Sequence, residues 1–146
     1  MVFFGKVYFF NFVENKNDME TCKVPMQIND KTGLYEIEGI KKIISLFDFK
    51  LEIFVHKPAR LNDEGEVHYY MPGLAVTEYR SGRFIEWFDT DSKDLAIDSV
   101  TAILCGKLKR PLGMLTFVDK LNDVIQFKNE NFGTSERFYS LDKFNK

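Results

Sequence analysis

Hydrophobic and polar positions follow two periods along this chain, and each change of period marks an element. Met1 to Val13, MVFFGKVYFFNFV, is strongly apolar and reads as a buried first strand. Lys6 interrupts the run, no A-x-A-like cleavage site follows, and the run is too short to span a membrane. Neither a secretory signal nor a membrane helix is therefore expected there. Polar Glu14 to Glu20 reads as the loop that closes this strand. Thr21 to Ile28 reads as a partner strand, which Pro25 confines to an edge or a bulge. Asn29-Asp30-Lys31-Thr32-Gly33 is turn chemistry. Ile37, Ile40, Ile44 and Phe47 then recur at three and four residues, with Ile43 beside them and Glu36, Glu38, Lys41 and Lys42 off the stripe. That spacing predicts a helix, which Gly39 weakens.

From Lys50 the period returns to two. Lys50 to Lys57 alternates, with Leu51, Ile53 and Val55 on one side, and Pro58 ends it. Asn62-Asp63-Glu64-Gly65 reads as a loop and Glu66 to Met71 as the next strand. Pro72-Gly73 suits the middle of a type II turn, and Leu74 to Tyr79 runs back. Ser81-Gly82 permits a tight hairpin into Arg83 to Phe88. Turn chemistry at these places predicts four consecutive antiparallel strands. A two-residue turn at Ser81-Gly82 sets Arg80 opposite Arg83, Tyr79 opposite Phe84 and Val76 opposite Trp87. The aromatic pairs favour that register by a few tenths to about 1 kcal/mol each. The facing arginines oppose it unless an anion lies between them.

Asp89 to Ser92 ends the sheet and starts a helix whose buried stripe is Ala96, Ile97, Val100, Ile103 and Leu104. Lys107, Lys109 and Arg110 fall at or just past its C-terminus, where cations are favoured, and Pro111 stops it. Leu115, Val118, Leu121 and Ile125 fit a further helix, although Leu112 to Val118 alone also fits a strand. Asn129 to Ser135 reads as a loop, and Phe138, Leu141 and Phe144 as a last turn of helix or strand.

Composition narrows the class. Hydrophobic residues make up 45% and charged residues 29%, which excludes a disordered chain. At 146 residues one α+β domain, 1–146, is expected. The formal charge of −2 and a pI of about 5.7 argue against a protein held to nucleic acid by its overall charge. Cys22 and Cys105 are expected as free thiols in a reducing, cytoplasmic setting; their spacing alone does not exclude a single buried disulfide. Lys outnumbers Arg 15 to 5, a usage that suits an AT-rich bacterial or phage genome.

Candidate chemistry is sparse. The string Phe84 to Lys93, FIEWFDTDSK, is a hydrophobic strand followed by Asp-x-Asp. It resembles the nucleophile loop of haloacid-dehalogenase-like phosphatases. The resemblance implies Asp89 as nucleophile, Asp89 and Asp91 as Mg²⁺ ligands, and a parallel sheet. Glu86 and Lys93 depart from that pattern, and helix capping by Thr90, Asp91 or Ser92 accounts for the same residues. Counted from Asp89, positions six and twelve of a calcium loop fall on Asp94 and Val100, which excludes an EF-hand. His56, His68, Cys22 and Cys105 lack the spacing of a zinc site, and no phosphate-loop, dinucleotide or GxSxG motif occurs. No catalytic residue, metal or cofactor is assigned.

The expected fold is therefore α+β, an antiparallel five- or six-stranded sheet with a central four-strand meander and two or three helices packed mainly on one face. One sheet face is left to cover. Tyr69, Tyr79 and Trp87 are the candidates for covering it, which points first to a non-enzymatic protein–protein interaction module. An accessory, inhibitor or immunity-type protein that meets another protein or itself as a homodimer fits that class, with no membrane partner. A second reading is single-stranded nucleic-acid binding through Arg80, Arg83, Lys107, Lys109 and Arg110 among nearby aromatics. A third is a small-molecule enzyme with a pocket around His68 and Tyr70.

Overall fold

One long strand organises the molecule. The computed structural model describes residues 19–28 and 31–141. Strand β1 (Glu20–Ile28) pairs antiparallel with the first half of β2 (Lys31–Leu46), and β3 (Phe49–His56) pairs with its second half. The two ladders meet at Gly39, which faces Glu20 on one side and His56 on the other. A Cβ at Gly39 would collide with the Val55 carbonyl oxygen and the His56 Cβ, so this close approach requires glycine. After β3 the chain makes a separate two-stranded ribbon, β4 (Ala59–Leu61) with β5 (Val67–Tyr69), closed by the Asn62–Glu66 turn. Gly73 has φ +93°, as the third position of a turn led by Pro72 requires. Strands β6 (Leu74–Glu78) and β7 (Phe84–Phe88) complete a five-stranded antiparallel sheet of order β1-β2-β3-β6-β7.

Both helices serve one face of this sheet. Ser92 Oγ accepts from the Leu95 amide at 3.1 Å and starts α1 (Lys93–Leu108), which buries Ala96, Val100 and Leu104. The turn through Pro111 leads to α2 (Gly113–Phe132), which buries Val118, Leu121, Ile125 and Lys128. These stripes close over Ile44, Leu46, Leu51, Ile53, Val55, Leu74 and Val76 from the sheet. Each fully buried aliphatic side chain there contributes roughly 1.5–3 kcal/mol. Residues 133–141 have no regular structure; Tyr139 and Leu141 tie them to this core. Among the described residues, no helix is long and apolar enough to cross a membrane.

The antiparallel α+β architecture with helices on one face is as expected. Several details differ. The helix expected over Ile37–Phe47 is strand β2. Ile37 and Ile40 lie three residues apart on opposite faces of the strand, and both faces bury apolar groups, so the spacing imitates a helical stripe. Four isoleucines also favour a pleated backbone over a helix. Glu66–Met71 does not enter the central run of strands, which is β2-β3-β6-β7; it supplies β5 of the ribbon. The β6–β7 register is not the one a two-residue turn sets. Ala75 faces Trp87 and Thr77 faces Phe84, with a bulge after Val76. The cause is Glu78, whose carboxylate accepts from the Arg80 and Ser81 amides at 2.9 and 2.7 Å and holds a wider loop. Residues 112–118 are helical from Gly113, and Phe138–Leu141 is neither helix nor strand. The strand expected over Met1–Val13, the Asn29-Asp30 part of a turn and Phe144 lie outside the described residues.

Candidate binding cleft

Strand alternation builds the open face of the sheet. While Leu51, Ile53 and Val55 of β3 point to the helices, Glu52, Phe54 and His56 point away from them. Cys22, Val24 and Met26 of β1, Ile37 of β2, Ala75 and Thr77 of β6, and Tyr79 just past it share that side. The β4–β5 ribbon folds over part of it and packs Ala59 and Val67 against Cys22, Ile37 and Phe54. What is left between ribbon, β1 and β7 is a concave cleft of about 870 Å³. Val24, Met26, Ile37, Pro58, Ala75 and Trp87 give it mostly apolar walls.

Its polar groups are few and fixed. His56 is 6% exposed. Its Nδ1 lies 2.8 Å from the Lys57 carbonyl oxygen and its Nε2 lies 2.7 Å from Thr77 Oγ1. A carbonyl only accepts, so Nδ1 carries the proton and Nε2 accepts from the Thr77 hydroxyl. Burial lowers the His56 pKa below its ordinary value of 6.5 and outweighs the opposing effect of the hydrogen bond to the Lys57 carbonyl. The imidazole is thus held neutral. Trp87 Nε1 donates to the Pro72 carbonyl at 3.0 Å, which fixes the indole at the cleft wall. Arg60 stacks 4.5 Å over the Tyr70 ring at one side of the mouth, and exposed Arg83 stands at another. No carboxylate is among the described residues lining the cleft.

The far end of the open face is a structural network. Tyr79 covers Phe54, with ring centroids 5.8 Å apart, and Lys41 lies 4.4 Å above its ring. Cys22 donates to the Tyr79 carbonyl at 3.4 Å. Burial pushes its thiol up to about 12, which makes it inert. Burial alone would raise the Glu52 carboxyl, but hydrogen bonds and charge from Lys41 and Arg80 hold it below its usual value. Arg80 also donates to the Arg137 and Phe138 carbonyls and stacks on Tyr139. On the helix side, fully buried Glu78 takes the Tyr139 hydroxyl as a third donor. Fully buried Lys128 donates to the Arg80 carbonyl at 2.9 Å and pairs with Glu136 at 3.4 Å.

This geometry separates the residues that the sequence groups together. Of the three aromatics expected on one docking face, Trp87 lines the cleft and Tyr79 belongs to the network. Tyr69 lies apart on the ribbon, where its hydroxyl accepts from the Glu38 amide at 2.9 Å. Of the expected pocket pair, Tyr70 is at the mouth, while His68 is exposed on the ribbon and does not line the cleft. His56 occupies the place expected for His68. Of the basic residues, Arg80 is committed to Glu52 and Tyr139, and Lys109 caps α1. Arg83, Lys107 and Arg110 line a second groove. Asp89 and Asp91 follow the edge strand of an antiparallel sheet, so the parallel-sheet setting of a phosphatase nucleophile loop is not present, and Ser92 is the helix cap. Both cysteines are free thiols. No protein-family model, curated protein or solved structure matches this chain.

Proposed function

We propose that this chain is a binding module that takes a small amphipathic molecule, with an apolar body and an anionic end, into the cleft on the open face of the sheet. The observation that carries this reading is the cleft itself. Its volume of about 870 Å³ suits a small molecule, its walls are mostly apolar, and its polar groups are few and convergent. The charged side chains in its lining are the two arginines, Arg60 and Arg83, which match an anion. The neutral His56–Thr77 pair offers a fixed polar contact on the floor. Binding is favoured over catalysis because His68 and the Asp89–Asp91 acids stand outside the cleft lining.

Trp87 is the only tryptophan of the chain, so its emission reports on the cleft wall directly. The test uses anilinonaphthalene sulfonate, an apolar aromatic body with one anionic group. A saturable change in Trp87 emission at a stoichiometry near one is expected. Ala75→Phe, which projects a ring into the same space, and Arg60→Glu are each expected to weaken it at least about tenfold, the equivalent of about 1.4 kcal/mol. A non-saturating response, or one unchanged in both variants, would refute the reading.

A further inference from the structure

A second concavity of about 460 Å³ lies on the other side of the Arg83–Phe84 ridge, between β7 and the turn that joins the helices. Its floor is apolar, made by Leu104, Leu108, Phe117 and Leu121, and its rim carries Arg83, Lys107, Arg110 and Lys120. No carboxylate is among the described residues lining it, and none of the four cations forms an ion pair with a described residue. Four cations around one groove with no ion-pair partner among the described residues are unexpected in a chain of formal charge −2. Favourable placement at or just past the C-terminus of α1 explains Lys107 and Arg110 but not the other two. Arg83 comes from the sheet edge and Lys120 from the body of α2, and neither gains from that helix end. Phe84, at 58% exposure, presents an aromatic ring next to Arg83 at the groove edge.

We infer that this groove binds single-stranded nucleic acid, with the four cations meeting successive phosphates and Phe84 stacking on a base. Cations that track a backbone beside an exposed aromatic ring are the two parts such binding needs. A phosphate polymer without bases uses only the first part, and an anionic membrane surface needs a projecting apolar face where this groove is concave. The inference stands apart from the cleft reading, although the two sites share Arg83 and Phe84.

The experiment measures the anisotropy of a labelled oligothymidine of about fifteen nucleotides at about 50 mM salt and upwards. The expected result is binding that weakens steeply with salt. Lys107→Ala with Arg110→Ala is expected to lower affinity at least about tenfold and to flatten the logarithmic salt slope by about two. Phe84→Ala is expected to cost at least about fivefold. Lys50→Ala, at an exposed lysine of β3 outside the groove lining, is expected to stay within about twofold and serves as the control for general surface charge. Circular dichroism confirms that each variant is folded. Absence of binding at the lowest salt would overturn the inference. So would equal loss in Lys50→Ala, polyphosphate competing as well as the oligonucleotide, or a preference for vesicles containing phosphatidylglycerol. None of these results bears on the response of Trp87 to anilinonaphthalene sulfonate, so failure here and failure of the cleft reading are distinguishable.

Discussion

His56 shows how one side chain ties the cleft to the stability of the fold. It is buried, its Nδ1–H is spent on the Lys57 carbonyl, and its Nε2 accepts from Thr77. Protonation would place a charge on the floor of an apolar cleft, so the folded pKa lies below the ordinary 6.5. The unfolded chain therefore takes up this proton first on acidification. The stabilisation from neutral His56 is complete above about pH 6.5 and is lost as pH falls through the lower folded pKa. Urea midpoints measured from pH 7.5 downwards are expected to fall through that window, and His56→Gln is expected to flatten the fall. An equal slope in the variant would show that His56 is not its source. Leu51, Ile53 and Val55 mark one buried side of β3, and that alternation says nothing of His56 on the other side. Phe54 on the opposite parity was the available signal that β3 is covered on both faces, which puts His56 inside.

At the scale of elements, punctuation was legible, and so was periodicity in β3 and α1, but not in β2. Pro72-Gly73 turns the chain where expected, Pro25 lies in an edge strand, and Ser92 starts α1, because each of these acts through a few local atoms. Strand β2 was illegible because its first half buries Ile37 on the open side and its second half buries Ile44 and Leu46 on the helix side. A strand that changes its buried face part-way has no clean period of two. Gly39 is where the pairing partner changes from β1 to β3. A residue that weakens a helix is, in a strand, a sign of close backbone approach. Gly39→Ala is accordingly expected to destabilise the protein by roughly 1–3 kcal/mol, since the colliding Val55 oxygen is backbone and cannot rotate aside. The measured quantity is the denaturation midpoint at constant slope. A loss smaller than about 0.5 kcal/mol would mean that the two ladders do not need this approach.

For the molecule as a whole, the sheet divides the described residues into two layers of unequal strength. Sixteen buried side chains form the core on the helix side, whereas the buried cluster under the ribbon consists of Cys22, Ile37 and Phe54. Among the described residues, strand β1, which supplies Cys22, is an edge paired with β2 alone. Such a layer is expected to open before the core does, at a lower free energy and with less surface exposed. Cys22 is the natural reporter, because burial keeps its thiol unreactive until the layer opens. In a Cys105→Ala background, labelling of Cys22 by a thiol reagent in increasing urea should give an opening free energy at least about 1 kcal/mol below that of global unfolding, with a shallower dependence on urea. Identical slopes and free energies by labelling and by circular dichroism would show instead a single cooperative unit. The distinction bears on the cleft, which takes Val24 and Met26 from β1 and Ala59 from the ribbon. Opening of this layer would remove that wall while His56, Thr77 and Trp87 stay on the inner strands and β7. A ligand in the cleft should therefore slow Cys22 labelling without moving the global midpoint by a larger amount.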